Sequence, residues 1–182
     1  MRITIITGSG RVHGTSNYLA ENFARGAKEA GAKVFRFNAA LERLLPCTGC
    51  NSCRNNGGCV INDSFNNLLP EVLEADLIVW VTPVYYMTMT ASIKLVIDRF
   101  YQLETNPDFI GRKKYIVIST AWDSNPSVFD ILIKTFESFS RFLKWEKVGQ
   151  ILAGGMDTRE QIENSNYGEI AYELGKAQTT TS

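Results

Sequence analysis

Apolar residues recur along this chain with two alternating periods, and that alternation predicts both the elements and their order. Ile3, Thr4, Ile5, Ile6 and Thr7 form a β-branched run without polar alternation, the pattern of a strand covered on both faces. After a glycine-rich turn, Leu19, Phe23, Ala27 and Ala30 put an apolar stripe on one side of a helix. Gly31 supplies its stop, and Lys33 to Phe37 reads as a second strand. Leu77 to Val81 predicts a third, followed by a helix starting near Met89 and Thr90 that carries Ile93, Val96, Ile97 and Phe100 on one side. Tyr115 to Ile118 predicts the fourth strand. Asn125 and Pro126 resemble a helix cap and its first residue, ahead of Phe129, Leu132, Ile133, Phe136 and Leu143. Val148 to Ala153 is the fifth strand, and Tyr167, Ile170, Ala171 and Leu174 mark a terminal helix. Covered strands alternating with helices predict an α/β fold, an open parallel sheet between two helical layers.

Composition narrows the classes. At 182 residues the chain suits one domain, expected over residues 1–176 with a small polar tail at 177–182 that frays. Basic and acidic residues number 19 each, so no excess of positive charge exists to neutralise a polyanion, and a nucleic-acid partner is not expected. Arg112, Lys113 and Lys114 form one basic run, read as a solvated strand entrance. No stretch reaches the roughly 18 apolar residues of a membrane span, so no membrane association is expected, and the start lacks the pattern of an export signal. All four cysteines lie between Cys47 and Cys59, which is not how disulfides staple a chain of this length; a reducing, cytoplasmic location is expected.

Candidate chemistry concentrates where parallel sheets bind ligands, at the carboxyl ends of strands. After the first strand comes Gly8-Ser9-Gly10-Arg11-Val12-His13-Gly14-Thr15-Ser16-Asn17. Glycines permit close backbone approach, hydroxyl and amide side chains offer donors, and the following helix offers unpaired N–H groups to a phosphate. Arg11 can add a charge-assisted contact. The competing reading is that these are ordinary turn and cap residues. The spacing does not fit G-x-G-x-x-G, the second strand ends in Arg36, Phe37 and Asn38 without an acidic ribose ligand, and no G-K-[ST] closes the turn. A mononucleotide fits this pattern better than a dinucleotide. The one histidine, His13, reads as a local or solvent-facing residue, and no catalytic side chain is expected.

The turn, together with Thr82-Pro83-Val84-Tyr85-Tyr86 and with Lys94 and Asp98-Arg99 on the next helix, resembles the flavodoxin-like NAD(P)H-dependent FMN reductases and their multimeric flavoprotein relatives. The resemblance implies a flavodoxin-like three-layer sandwich whose five parallel strands take the order 2-1-3-4-5. It implies FMN as cofactor, its phosphate on Ser9, Arg11, Thr15, Ser16 and Asn17. The flavin ring would lie against Pro83, Val84, Tyr85, Tyr86 and Met87, with Ser119, Thr120 and Ala121 bordering it and Trp122 covering it, covering a neighbouring subunit, or packing on its own loop at the surface. Electrons would pass from NADH or NADPH through flavin to a flavin, quinone, azo, nitro or similar acceptor, small molecule or protein, in a homodimer or homotetramer. Where the family often has proline this chain has Gly10, and where it has Asn-Thr this chain has Thr15-Ser16; both changes keep donors available. Lys94 and Asp98 are four apart and read as a structural pair.

The longest departure from the strand and helix pattern is Pro46 to Asn62, a polar loop holding Cys47, Cys50, Cys53 and Cys59. Four thiols within thirteen residues suit a [4Fe-4S] cluster, a reduced thiol or redox disulfide set, or zinc. The grouping looks like that of the iron-sulfur flavoproteins, so an iron-sulfur flavoprotein or a flavodoxin-like electron carrier without nicotinamide turnover is the alternative function. The loop follows the second strand, which is expected to put its base on the FMN edge and the cysteines close to the flavin.

Overall fold

Strand β1 (Arg2–Thr7) leads through a turn into helix α1 (Thr15–Glu29), which returns to β2 (Lys33–Asn38). The computed structural model describes residues 1–104 and 106–179, with Asn56 described by its backbone alone. Beyond β2 come a short helix α2 (Ser52–Asn56), α3 (Phe65–Glu74), β3 (Leu77–Pro83), α4 (Ala91–Arg99) and a 3-10 turn, Phe100–Leu103. Then follow β4 (Lys114–Thr120), a 3-10 turn at Pro126–Phe129, α5 (Asp130–Leu143), β5 (Glu146–Ala153), α6 (Arg159–Glu163) and α7 (Tyr167–Ala177).

The strands form one parallel sheet in the order β2-β1-β3-β4-β5, the order expected. Parallel strands require crossovers, and right-handed ones place helices on both faces. The period-2 geometry of β3 shows why its sequence lacks polar alternation. Ile78 and Trp80 pack with Phe65, Leu68, Val96, Leu132 and Phe136 of α3, α4 and α5, while Leu77, Val79 and Val81 pack with Leu19, Phe23 and Ala171 of α1 and α7. Trp80 is fully buried, its ring 5.7 Å from Phe136 and 5.8 Å from Phe100. Across the sheet, α1 and α7 meet backbone to backbone. A Cβ on Gly26 would lie 2.0 Å from the Tyr172 carbonyl oxygen, and one on Gly175 would lie 2.2 Å from that of Phe23.

Several local expectations shift. Asn125 does cap, its side chain accepting from the Ser127 amide at 3.1 Å, but the turn it caps is 3-10 and α5 begins only at Asp130. Ile170 is exposed despite its place in the terminal stripe. Lys113 is not solvated. It is buried, and its Nζ donates to the carbonyls of Leu73 and Ala75, both at 2.8 Å, closing the C-terminal end of α3. Of the expected tail, Ala177 still belongs to α7 and residues 180–182 lie outside the described residues. Among the described residues no helix is long and apolar enough to cross a membrane.

Candidate functional site

The turn after β1 is held open by its own amides. Gly8 N–H donates to Val81 O at 2.8 Å, Asn38 Nδ2 to Ser9 O at 3.1 Å, and Asn17 Nδ2 to Arg11 O at 2.8 Å. Gly14 N–H also reaches Arg11 O, and the Arg11 amide donates to Ser9 Oγ. Gly14, the residue before α1, is extended and makes no side-chain cap. The first intrahelical bond runs from Tyr18 N–H to Gly14 O, so the amides of Thr15, Ser16 and Asn17 precede the hydrogen-bonded ladder. An uncapped helix start with three amides ahead of its first bond favours an anion.

Four strand ends converge on that helix start to make a cleft of ≈ 520 Å³. Thr15 Oγ1 donates to Thr120 Oγ1 at 3.0 Å, tying α1 to the end of β4. Val84 N–H donates to Thr120 O and Met156 N–H to Ala121 O, both at 2.8 Å, so the ends of β3, β4 and β5 share one floor. The lining combines Ser9, Arg11, Thr15 and Ser16 with Pro83, Val84, Tyr85, Thr120, Ala121 and Trp122. One end is rich in donors and the other apolar and aromatic, and the volume is that of an ordinary cofactor pocket. This donor set fits a phosphate monoester carrying a flat ring.

The structure thus brings these ten residues singled out in the sequence together. Asn17 and Ser119 do not line the cleft. The Asn17 amide braces the turn, and buried Ser119 donates to Thr82 O at 2.8 Å between β3 and β4. Tyr86 and Met87 line a neighbouring recess of ≈ 480 Å³, which shares Val84, Tyr85, Ala121 and Trp122 with the cleft. They occupy a two-residue hairpin turn closed by Tyr85 N–H to Thr88 O at 2.9 Å and Thr88 N–H to Tyr85 O at 3.2 Å. Both have positive φ, +45° and +66°, in a turn type that favours glycine and asparagine. Such strain persists where a side chain's placement matters. Tyr86 is fully exposed and Trp122 is 76% exposed.

One wall was not singled out in the sequence. Met156, Asp157, Thr158 and Arg159, after β5, face the β1 turn across the cleft. Thr158 and Gln161 form a reciprocal capping box at the start of α6. The signal was present as T-x-x-Q directly after a fifth strand, on the edge where parallel sheets bind ligands.

The cysteine loop is fixed at its base by a buried ion pair. Asp63 Oδ2 accepts from Leu45 N–H at 2.8 Å and Arg99 NH1 at 2.7 Å, and Asp63 Oδ1 accepts from Phe65 N–H at 3.1 Å. Arg99 also donates to Leu45 O and Ile61 O, and its guanidinium lies 4.8 Å from the Phe65 ring centre. Burial pushes Asp63 up, but the Leu45 amide, Arg99 and the Phe65 amide outweigh it and hold its carboxyl below the ordinary value. Farther out, Arg54 pairs with Glu104 and stacks 4.4 Å over the Tyr101 ring, whose hydroxyl donates to Asn51 Oδ1 at 2.8 Å. These anchors follow α4, and no residue of the loop lines the cleft.

Cys47 and Cys50 are exposed, Cys53 and Cys59 half-buried. The Ser52 amide and the Thr48 side chain, in that order, hold the Cys50 thiol below its ordinary value. Among the described residues no three His, Cys, Asp or Glu side chains gather as a metal site. In this conformation the thiols do not fit an assembled ligand set.

Comparison with known proteins supports the geometric reading. An iron-sulfur flavoprotein of Methanocaldococcus jannaschii is 33% identical over 99 residues, 54% of this chain and 51% of that protein, so the chain spans about half the length of this relative. The Bacillus subtilis protein YwqN, whose name gives it provisionally as an NAD(P)H-dependent FMN-containing oxidoreductase, is 25% identical over 162 residues, 85% of this chain and 86% of that one. The crystal structure of an azoreductase from Bacillus anthracis superposes with a TM-score of 0.75 at 18% identity, covering 97% of this chain and 99% of that one, which is a likeness of fold. The cleft loops from β1, β3 and β4 all fall within residues 1–148, the span that matches the NADPH-dependent FMN reductases, and the chain belongs to that family.

Proposed function

We propose that this protein is an FMN-dependent NAD(P)H oxidoreductase that passes electrons from a nicotinamide to a flavin, quinone, azo, nitro or similar acceptor. The observation that carries this reading is the single cleft in which an uncapped helix start and an apolar platform lie side by side at the carboxyl edge. When bound, FMN supplies the two-electron chemistry between donor and acceptor. The chain's residues do the rest. Ser9, Arg11, Thr15 and Ser16 hold the phosphate end with the free amides of α1. Pro83, Val84 and Tyr85, with Thr120 and Ala121, give the ring one apolar wall. The recess bordered by Tyr86, Met87 and Trp122 leaves room beside that wall for nicotinamide or acceptor in turn. Asn17 and Ser119 act one step back, bracing the turn and the platform. The homodimer or homotetramer expected from the sequence, and a cytoplasmic location, belong to the same proposal.

A second reading adds a [4Fe-4S] cluster on Cys47, Cys50, Cys53 and Cys59, favoured by their compact spacing and by the iron-sulfur flavoprotein relative. It requires the loop to rearrange between its fixed base and its docked middle. One anaerobic preparation tests both readings. NADH or NADPH should bleach the visible flavin absorption and an acceptor should restore it; failure of both nicotinamides to reduce the flavin leaves an electron carrier. Iron and sulfide in amounts matching a four-iron centre in the same sample support the cluster, and their absence after reconstitution removes it.

A further inference from the structure

The recess beside the cleft is walled by two loops that display aromatic side chains on ordered backbone. Trp122, 76% exposed, sits between two residues pinned to the end of β5: the Met156 amide donates to Ala121 O at 2.8 Å and the Gly155 amide to Asp123 O at 3.1 Å. The other loop is the hairpin turn at Tyr86 and Met87, closed by the two Tyr85–Thr88 bonds and held at positive φ. Tyr86 therefore carries backbone strain while its own side chain stays fully exposed. Exposed rings on fixed backbone around a recess of ≈ 480 Å³ suit a flat aromatic guest, because groups already in place lose little entropy on stacking.

Charge narrows the guest further. The recess has one carboxylate, Asp123, and among the described residues no lysine, arginine or histidine lines it. Asp123 Oδ1 accepts from the Asn125 amide at 2.8 Å, which fixes the side chain in place. The adjoining cleft is the opposite, with Arg11, His13 and Arg159 in its lining against one carboxylate, Asp157. Two cavities that share Val84, Tyr85, Ala121 and Trp122 thus differ in the sign of charge they favour. A negative group in the recess meets the Asp123 carboxylate with no cation in the lining to offset it, and like charges brought together in this way select against a guest.

We infer that the recess is an acceptor site for flat aromatic molecules without negative charge, and that Asp123 sets this preference by repelling anionic acceptors such as sulfonated quinones. The inference rests on the oxidoreductase reading and narrows its acceptor class. The overall reaction balances as NAD(P)H, a proton and a quinone giving oxidised nicotinamide and a hydroquinone. The hydride brings two electrons and one proton, and solvent brings the second proton. Trp122 and Tyr86 hold the ring, and Asp123 discriminates by charge.

The test uses FMN-loaded protein, bleached anaerobically with one equivalent of NADH or NADPH and then mixed with a naphthoquinone or with its sulfonate, and reads the second-order rate at which the flavin absorption returns. The sulfonate withdraws electrons and makes its quinone the stronger oxidant, so driving force alone favours the anion. Wild type should nevertheless react roughly 3-fold to 10-fold faster with the uncharged quinone, and added salt should shrink that preference. Asp123→Asn keeps an acceptor for the Asn125 amide and should bring the two rates to within about 2-fold of each other. Trp122→Ala and Tyr86→Ala should each slow both quinones by a similar factor, roughly 2-fold to 10-fold. Equal rates in wild type, or a preference that Asp123→Asn leaves unchanged, overturns the inference. So do unchanged rates in both aromatic variants, including the case in which their subunits separate in the ultracentrifuge, which would give the aromatic surface to a second copy of this chain. A flavin that neither nicotinamide bleaches overturns the oxidoreductase reading itself, before any acceptor is added.

Discussion

The connections that follow β1 and β2 leave neighbouring strands at the same edge of the sheet, and they are secured by opposite means. The β1–α1 turn is held by neutral groups, the amides of Asn17 and Asn38 on the carbonyls of Arg11 and Ser9. The β2–α3 connection is held by charge, with Asp63 and Arg99 side chains 0% and 1% exposed at its base. Neutral bracing spends carbonyl oxygens and leaves N–H groups and positive potential facing the cleft, which is what an anionic ligand requires. Ionic bracing pairs its two charges within the fold, with only Arg99 Nε left without a partner among the described residues. It leaves no uncompensated charge at the base of the loop, whose middle is held at the surface by Arg54–Glu104 and Tyr101–Asn51.

The largest expected effect comes from breaking the ionic brace. Arg99→Met leaves the Asp63 carboxylate buried without its counter-charge and should destabilise the fold by about 3–5 kcal/mol. The double variant Asp63→Leu, Arg99→Met should recover only part of that, because the amides of Leu45 and Phe65 and the carbonyls of Leu45 and Ile61 lose their partners. Urea unfolding measures the stability change, and an FMN titration of the folded variant should match wild type, since no residue of this connection lines the cleft. A lowered FMN affinity would show that the two connections are coupled.

The neutral brace should respond differently. Gly8 packs against the start of α4, where an added Cβ would stand 2.3 Å from Thr90 Oγ1 and 2.5 Å from Ile93 Cγ1. Gly8→Ala should cost about 1–3 kcal/mol through overpacking. It should also weaken FMN binding, because Thr90 and Ile93 are buried and relief of the clash would move the turn proposed to hold the phosphate. Stability and flavin affinity therefore fall together here and separately in the Arg99 variant; loss of stability with unchanged FMN affinity in Gly8→Ala would erase the contrast.

The same difference explains what could be read from the sequence. Glycines, hydroxyls and a β-branched strand identify the β1 turn because its donors lie in one short segment, although Asn38 and Val81 help hold it, and β3 was legible because burial on both faces removes polar alternation from Leu77 to Val81. Helix α3 was not, since Asn66, Asn67 and Pro70 interrupt the stripe of Phe65, Leu68 and Val72. Asp63 and Arg99 stand 36 positions apart and look like surface charges until the chain folds. The wall at Arg159 and the close approach at Gly26 and Gly175 are likewise products of tertiary contact. The basic run at 112–114 misled for the same reason, because burial of its middle residue depends on where α3 ends.

Lys113 extends the ionic character of the β2–α3 region to the far end of α3, and it should leave a trace in pH dependence. Burial pulls its ammonium down from its ordinary value to about 8. Below that pH the lysine is charged in both folded and unfolded chains, and the cost of burying the charge is fully present. Between about 8 and 10.5 the folded chain releases the proton while the unfolded chain keeps it, so the unfolded state binds more protons and stability rises with pH. From pH 8 to pH 9 the gain is at most about 1 kcal/mol, and the two carbonyls that accept from Nζ reduce it by favouring the charged form. Urea midpoints across that interval should climb in wild type relative to Lys113→Met, and amide exchange should slow in α3 more than in α1. A difference between the two proteins that stays flat, or falls, with pH would show that the ammonium is as well accommodated in the fold as in water, and that charge does not secure this end of the connection.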